Sequence, residues 1–251
     1  RGDSIVKTLP PDLPEWQTVG ADIRGADARG LLLGIRGAGA DQLSGELSRE
    51  RDVAILGQRG STRKDTIAHL RGIERRVTQA GTKDRPMWIV HSLMGSGTDQ
   101  VLLYPDGWIA IARQEPYRIE WRRPDGFNVR GPDITWEAPR STDREKQAAL
   151  ERLRKRYGPD AKDPGVPWAA RLAPFPSNAL FAAPDGNLLV LRSQWSQAIN
   201  TNYDLFDRTG SRIGTLAMHD SERVVGFGPR SVYVVSTDGD GFQHLRRHPW
   251  P

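Results

Sequence analysis

The 251-residue chain carries 36 Lys and Arg against 31 Asp and Glu, a formal charge of +5, and no cysteine. Lack of cysteine excludes disulfides, thiolate nucleophiles and Cys-ligated zinc or iron–sulfur centres. With 18 Pro, 26 Gly and no long apolar run, the chain is rich in turns and has no segment of the kind that spans a bilayer as a helix.

In chain order, short apolar segments recur between Gly, Pro, Asp and Asn. They are SIVKTL (4–9), GLLLGI (30–35), DVAILG (52–57), TIAHL (66–70), MWIVHS (87–92), QVLLY (100–104), WIAIAR (108–113) and YRIEW (117–121). After residue 175 the series resumes with NALFAA, NLLVLR, YDLFD, RIGTLAM, RVVGF, SVYVVS and FQHLR. These runs are too short for most helices and rich in β-branched and aromatic residues, which predicts strands. GADQLSGELSRER (39–51) reads as a polar loop.

One segment departs from this pattern. STDREKQAALERLRKRYGPD (141–160) predicts a surface helix at about 142–157. Thr142 and Glu145 form a capping-box pair, Leu150, Leu153 and Tyr157 make a narrow apolar stripe, and Gly158-Pro159 ends it. A proline-rich loop follows to residue 178, so 141–178 is a helix-plus-loop insertion in an otherwise single domain.

Pro-Asp-Gly occurs at 105–107, 124–126 and 184–186. The segments after the first and third copies match. Each has an apolar strand ending in Arg (Arg113, Arg192), a polar loop, a strand opening with Tyr (Tyr117, Tyr203), a turn with Gly (Gly126, Gly210) and a further strand. Residues 52–70, with a turn at Gly60, match the second half of this unit. The unit is a four-stranded meander whose faces must be buried by stacked copies, which predicts a β-propeller with about four blades' worth of strands. Asp106 and Asp125 are then turn residues rather than an acid pair.

These motifs, with RKDTIAHLRGIE (63–74), YDLFDRTGSRIGTLAM (203–218) and VVGFGPRSVYVVSTDGDGFQHLRRH (224–248), resemble the bacterial six-bladed propellers related to the NHL type, which are usually exported. The resemblance implies a periplasmic or otherwise extracytoplasmic protein. Six four-stranded blades need about two dozen strands, and about seventeen are visible here. With Arg1 rather than Met at the start, the expectation is a processed or N-terminally incomplete propeller with an exposed edge.

No catalytic motif emerges, and no cofactor or metal site is assigned. Of His69, His91, His219, His244 and His248, the last two have helical metal-pair spacing but fall in strand context. Ser96 in GSGTD lacks the frame of a nucleophile elbow and reads as a turn. TDGDGF (237–242) reads as a hairpin turn rather than a calcium loop, GAG (37–39) lacks the third glycine of a dinucleotide fingerprint, and RGDS (1–4) reads as coincidence. The candidate partner-binding residues are the basic run Arg152, Arg154, Lys155 and Arg156, and Trp195 in a polar loop.

The functional expectation is a noncatalytic interaction or scaffold module, with an extrinsic periplasmic subunit of a membrane-bound assembly as its sharper form. The alternatives are a metal-dependent propeller hydrolase of lactonase type and an anionic-surface or nucleic-acid binder. The interspersed acids argue against nucleic acid.

Overall fold

The structure, a computed structural model, describes residues 21–37, 47–58, 61–82, 85–158, 167–194 and 200–250. It is all-β, with four antiparallel sheets in a propeller-like arrangement and one helix. The first sheet has five strands in order, β1 (Ala21–Ala26), β2 (Leu31–Arg36), β3 (Leu47–Gln58), β4 (Lys64–Thr82) and β5 (Arg85–Ser92). The second is β6 (Gln100–Leu103), β7 (Ile109–Gln114), β8 (Tyr117–Arg122) and β9 (Asn128–Arg130). The third is β10 (Leu180–Ala182), β11 (Leu188–Leu191), β12 (Asn200–Phe206) and β13 (Arg212–His219). The fourth has three strands, β14 (Glu222–Gly228), β15 (Ser231–Thr237) and β16 (Gln243–Pro249).

Every neighbour in every sheet is also the neighbour in sequence, so each sheet is the meander read from the repeat. Three features differ from that reading. The blades carry five, four, four and three strands rather than four each. Residues 47–51, expected in a loop, belong to β3, and β4 runs on past Leu70 to Thr82. The turn expected at Gly60 lies outside the described residues.

Six of the turns among the described residues share one form. In the turn from Tyr104 to Trp108, Tyr104 N–H donates to Trp108 O, and Gly107 N–H donates back to Tyr104 O. The same two bonds recur from Asp27, Arg123, Ala183, Asp207 and Asp238. This is a three-residue loop closed by a residue in the left-handed region. Gly107 and Gly126 hold φ of 86° and 89° there, which a side chain would strain. Asp106, Asp125 and Asp185 each accept from the N–H two residues on, at 3.3, 3.0 and 3.1 Å. These aspartates are turn caps.

Apolar side chains between sheets stack the blades. Leu33, Ala54 and Leu70 of the first sheet meet Ile109 and Ile111 of the second. Trp121, Ile119 and Tyr104 of the second meet Leu188, Val190 and Phe206 of the third. Leu189 and Tyr203 of the third meet Val224, Val232 and Val234 of the fourth. Trp121 is fully buried, and its ring N–H donates to Asp207 O at 2.9 Å across the second interface. At the same interface the backbones touch, since a Cβ on Gly131 would lie 2.5 Å from Gly210 O. Burial of such aromatics stabilises the second interface, because each removes a large apolar area from water.

The helix, α1 (Asp143–Tyr157), begins and ends as its sequence dictates. Thr142 Oγ1 accepts from Glu145 N–H at 3.4 Å, and Gly158 N–H donates to Arg154 O. The chain on either side of α1 is tied to the propeller. Met94 N–H donates to Pro167 O and Ala169 N–H returns to Met94 O, both at 2.9 Å. Leu172 N–H donates to Pro139 O and Ala173 N–H to Gly95 O. No helix among the described residues is long and apolar enough to cross a membrane.

Candidate functional site

The Pro-Asp-Gly turns all lie at one end of the strands. At the other end, the β7–β8 hairpin, the loop 93–97 and the segments flanking α1 enclose a cavity of about 660 Å³. Its floor comes from Arg71 and Glu74 of β4 and from Gln114 to Tyr117, and its roof from Trp136, Trp168 and Arg171. The size suits a small molecule or a few residues of a peptide.

Arg71 anchors the floor. Its guanidinium pairs with Glu74 at 3.0 Å and with Glu115, while its backbone N–H donates to Asp99 Oδ2 at 3.0 Å. Its Nε–H is buried and has no partner. The ring N–H of Trp136 is likewise buried and without a partner.

Trp136 is held from behind. The Arg192 guanidinium carbon lies 5.4 Å from the centre of its ring, a cation–π contact. Arg192 Nε is 3.7 Å from Asp204 Oδ2, and Arg212 is 3.5 Å from Asp204 Oδ1. Tyr117, on the cavity floor, donates its hydroxyl to Asp204 Oδ2 at 3.0 Å. Burial, followed by the Asp204 charge, pushes the Tyr117 phenol well above its ordinary value of 10.0. Tyr117 is therefore a neutral donor already engaged, not an acid or base facing the cavity.

A second polar chain borders the floor. Asp99 accepts from Arg113 Nη1 and from Gln114 N–H, each at 3.0 Å. Arg113 Nε donates to Glu120 at 2.8 Å, and Arg118 Nε donates to the other oxygen of Glu120 at 2.7 Å. Burial works against the Glu120 charge, but the bonds from Arg118 and Arg113 outweigh it and hold the carboxyl below its ordinary 4.5. Burial likewise opposes the Arg113 charge, and its bonds to Asp99 and Glu120 more than restore it.

The lining contains no nucleophile paired with a base. Ser96 lines the cavity, but its hydroxyl donates to Leu93 O at 2.7 Å and its N–H to the same oxygen at 3.3 Å, closing a turn. Among the described residues, no three His, Asp or Glu side chains converge as metal ligands. His244 and His248 both lie on β16, and His244 pairs with Asp238 at 2.7 Å in the 238–242 turn.

The residues singled out from the sequence lie elsewhere or outside view. Trp195 is outside the described residues. Arg152, Arg154, Lys155 and Arg156 lie along the last two turns of α1. Arg154 is exposed, and the side chains of the other three are outside the described set. The roof segments carried one sequence signal, the prolines between 132 and 176, most of which fall in the stretch read as the 141–178 insertion.

Among the described residues there are four blades, where the resemblance implies six. No protein-family model matches the chain, nor does any curated protein or solved structure.

Proposed function

We propose that this chain is a noncatalytic interaction module whose binding site is the cavity roofed by the segments around α1. The observation that carries this is a cavity of about 660 Å³ walled by Trp136, Trp168, Pro116 and Pro174, in which Arg71, Glu74, Glu115 and the Ser96 hydroxyl are already bonded. Such a site gives a partner a stiff, largely apolar surface and offers no group poised to transfer a proton or attack. A propeller suits this role because its loops sit on a rigid stack of sheets.

Within this reading the chain acts as an extrinsic periplasmic subunit of a larger membrane-bound assembly. The support is the resemblance to exported propellers, together with the fourth sheet. There β16 forms the edge, with all seven residues exposed and its outer side unpaired among the described residues.

Site-specific photo-crosslinking in the native host tests the proposal. A photoreactive residue at Ala170, exposed at the cavity rim, is expected to trap a specific protein. The same residue at Thr209, exposed at the opposite end, is expected to trap none. Equal trapping at both positions, or none at Ala170, overturns the reading.

A further inference from the structure

We infer that the free edge of the fourth sheet, β16, takes an extended, acidic segment of a partner protein as a further strand. This goes beyond the cavity and stands apart from it. All seven residues of β16 are exposed. Its sheet stops at three strands where the second and third have four, and its outer side has no strand among the described residues.

The direction of each backbone group follows from the register. Gln243 to Pro249 pair one to one with Thr237 to Ser231, without a bulge. Beyond one end of that ladder Asp238 N–H donates to Phe242 O at 3.0 Å, and beyond the other Trp250 N–H donates to Arg230 O at 3.1 Å. Antiparallel pairs alternate between bonded and non-bonded. Counting in from either end gives one result. His244, Arg246 and His248 bond to β15, while Gln243, Leu245 and Arg247 turn their N–H and C=O outward. Pro249 falls in the outward set, where β15 needs no N–H from it. Each outward non-proline residue, recurring about every 6.8 Å, offers one donor and one acceptor. Another extended backbone answers both, whereas a phosphate group supplies acceptors alone.

The side chains of the incoming strand follow from those of β16, which holds Arg246, Arg247 and two histidines and no acid. Arg223, Val235 and Leu245 form one row across the face turned away from the third sheet, and Arg247 lies on that face two residues on. Arg223 and Arg247 are exposed and have no carboxylate partner among the described residues. Arg246, on the other face, is 4.0 Å from Glu222. Acids opposite Arg246 and Arg247, and an apolar residue opposite Leu245, which is 66% exposed, match this pattern. A second copy does not match it. Two β16 strands paired about a twofold at Arg246 or Arg247 would set arginine directly against arginine.

The probe is the peptide acetyl-Val-Thr-Glu-Glu-Val-Glu-Val-amide, which in antiparallel register sets Glu against Arg247 and Arg246 and Val against Leu245. Its controls are the same peptide with Lys for each Glu, and a copy N-methylated at the middle valine, whose N–H would face Leu245. Binding to the full chain is followed through backbone amide signals by NMR. The Glu peptide is expected to move the Leu245 and Arg247 amides and to bind about tenfold or more tighter than either control.

Leu245→Pro removes one outward donor and leaves the bonds to β15 in place, so it should weaken the Glu peptide about tenfold. Unchanged amide signals from His244, Arg246 and His248 report that the hairpin is intact. Arg247→Glu, which leaves the backbone alone, should weaken the Glu peptide about threefold or more and strengthen the Lys peptide. Equal binding of the Glu and Lys peptides, undiminished binding of the N-methylated copy, or no movement of the Leu245 and Arg247 amides overturns the inference. Amides of β16 that move on dilution of the protein alone would assign the edge to a second copy and overturn it as well. The cavity reading stands or falls separately on the Ala170 crosslink, which does not involve β16.

Discussion

The second and third sheets hold the same ion pair at the same rung and use it differently. Counted from the Pro-Asp-Gly turns at 105–107 and 184–186, Ile111 pairs across to Glu120 and Val190 to Asp204, and Arg113 and Arg192 sit two residues beyond. In the second sheet the pair is closed. Arg113 lies 2.8 Å from Glu120 and 3.0 Å from Asp99, with 18% of its side chain exposed. In the third sheet it is loosened to 3.7 Å, Arg192 is 35% exposed and turned over Trp136, and Asp204 accepts from Tyr117 of the neighbouring blade. One copy binds the blade together. The other reaches Trp136, a residue that lines the cavity. Repetition thus supplied the charged pair, and the change of partner supplied the site.

Removing the acids measures that division most sharply. Asp99 is buried and satisfies two backbone N–H groups and Arg113, so Asp99→Ala leaves all three unpaired and should cost about 3–4 kcal/mol. Asp204→Asn keeps an oxygen for Tyr117 and loses only long contacts to two partly exposed arginines, for about 1–2 kcal/mol. Urea unfolding of both variants reads the difference. Equal losses would show that the third-sheet pair binds its blade as the second-sheet pair does.

This comparison also marks what the sequence could tell. Turn residues repeat at fixed places, so the three Pro-Asp-Gly copies disclosed the meander, and Asp106 and Asp125 were legible as caps. Arg113 and Arg192 were visible as strand ends. Their acids were not, because Glu120 is seven residues on and Asp204 twelve, and only the strand register brings each opposite its arginine. The far half of β4 was hidden for a similar reason. Residues 71–76 place Arg and Glu around a lone Ile73, without alternation, and their strand is fixed by pairing with β3 and β5. The cavity was least legible of all. Arg71, Gln114, Trp136 and Trp168 are distant in sequence and meet only because hydrogen bonds from Met94 and Ala173 fold the α1-flanking segments over the blade end.

The arginines give a smaller contrast. Arg113 uses Nε and Nη1 as a fork, so Arg113→Lys should lose about 1–2 kcal/mol because a single ammonium cannot bridge Asp99 and Glu120. Arg192→Lys should cost only about 0.5 kcal/mol, since its ion pair is long and partly exposed. The same change should nevertheless shift the Trp136 indole N–H signal in NMR, which Arg113→Lys should leave in place, because Arg192 lies over that ring and Arg113 is bonded to Asp99 and Glu120 instead. A Trp136 signal that moves in neither variant, or in both, would remove the assigned link between the third-sheet pair and the cavity.

The smallest effect is the acid limb of stability, and it belongs to the closed pair. Glu120 is held below its ordinary 4.5 because the bonds from Arg118 and Arg113 outweigh its burial. An unfolded chain therefore takes up this proton at a higher pH than the folded one. The contribution of Glu120 is complete above about pH 4.5 and is lost as the pH falls through the lower folded value. Glu120→Gln has no such proton to take up. The urea midpoints of wild type and variant should be furthest apart near pH 7 and draw together as the pH falls toward about 3. A gap that stays constant or widens on acidification would show that Arg113 and Arg118 hold Glu120 no more tightly than water does, and would erase the distinction between the closed pair and its loosened copy.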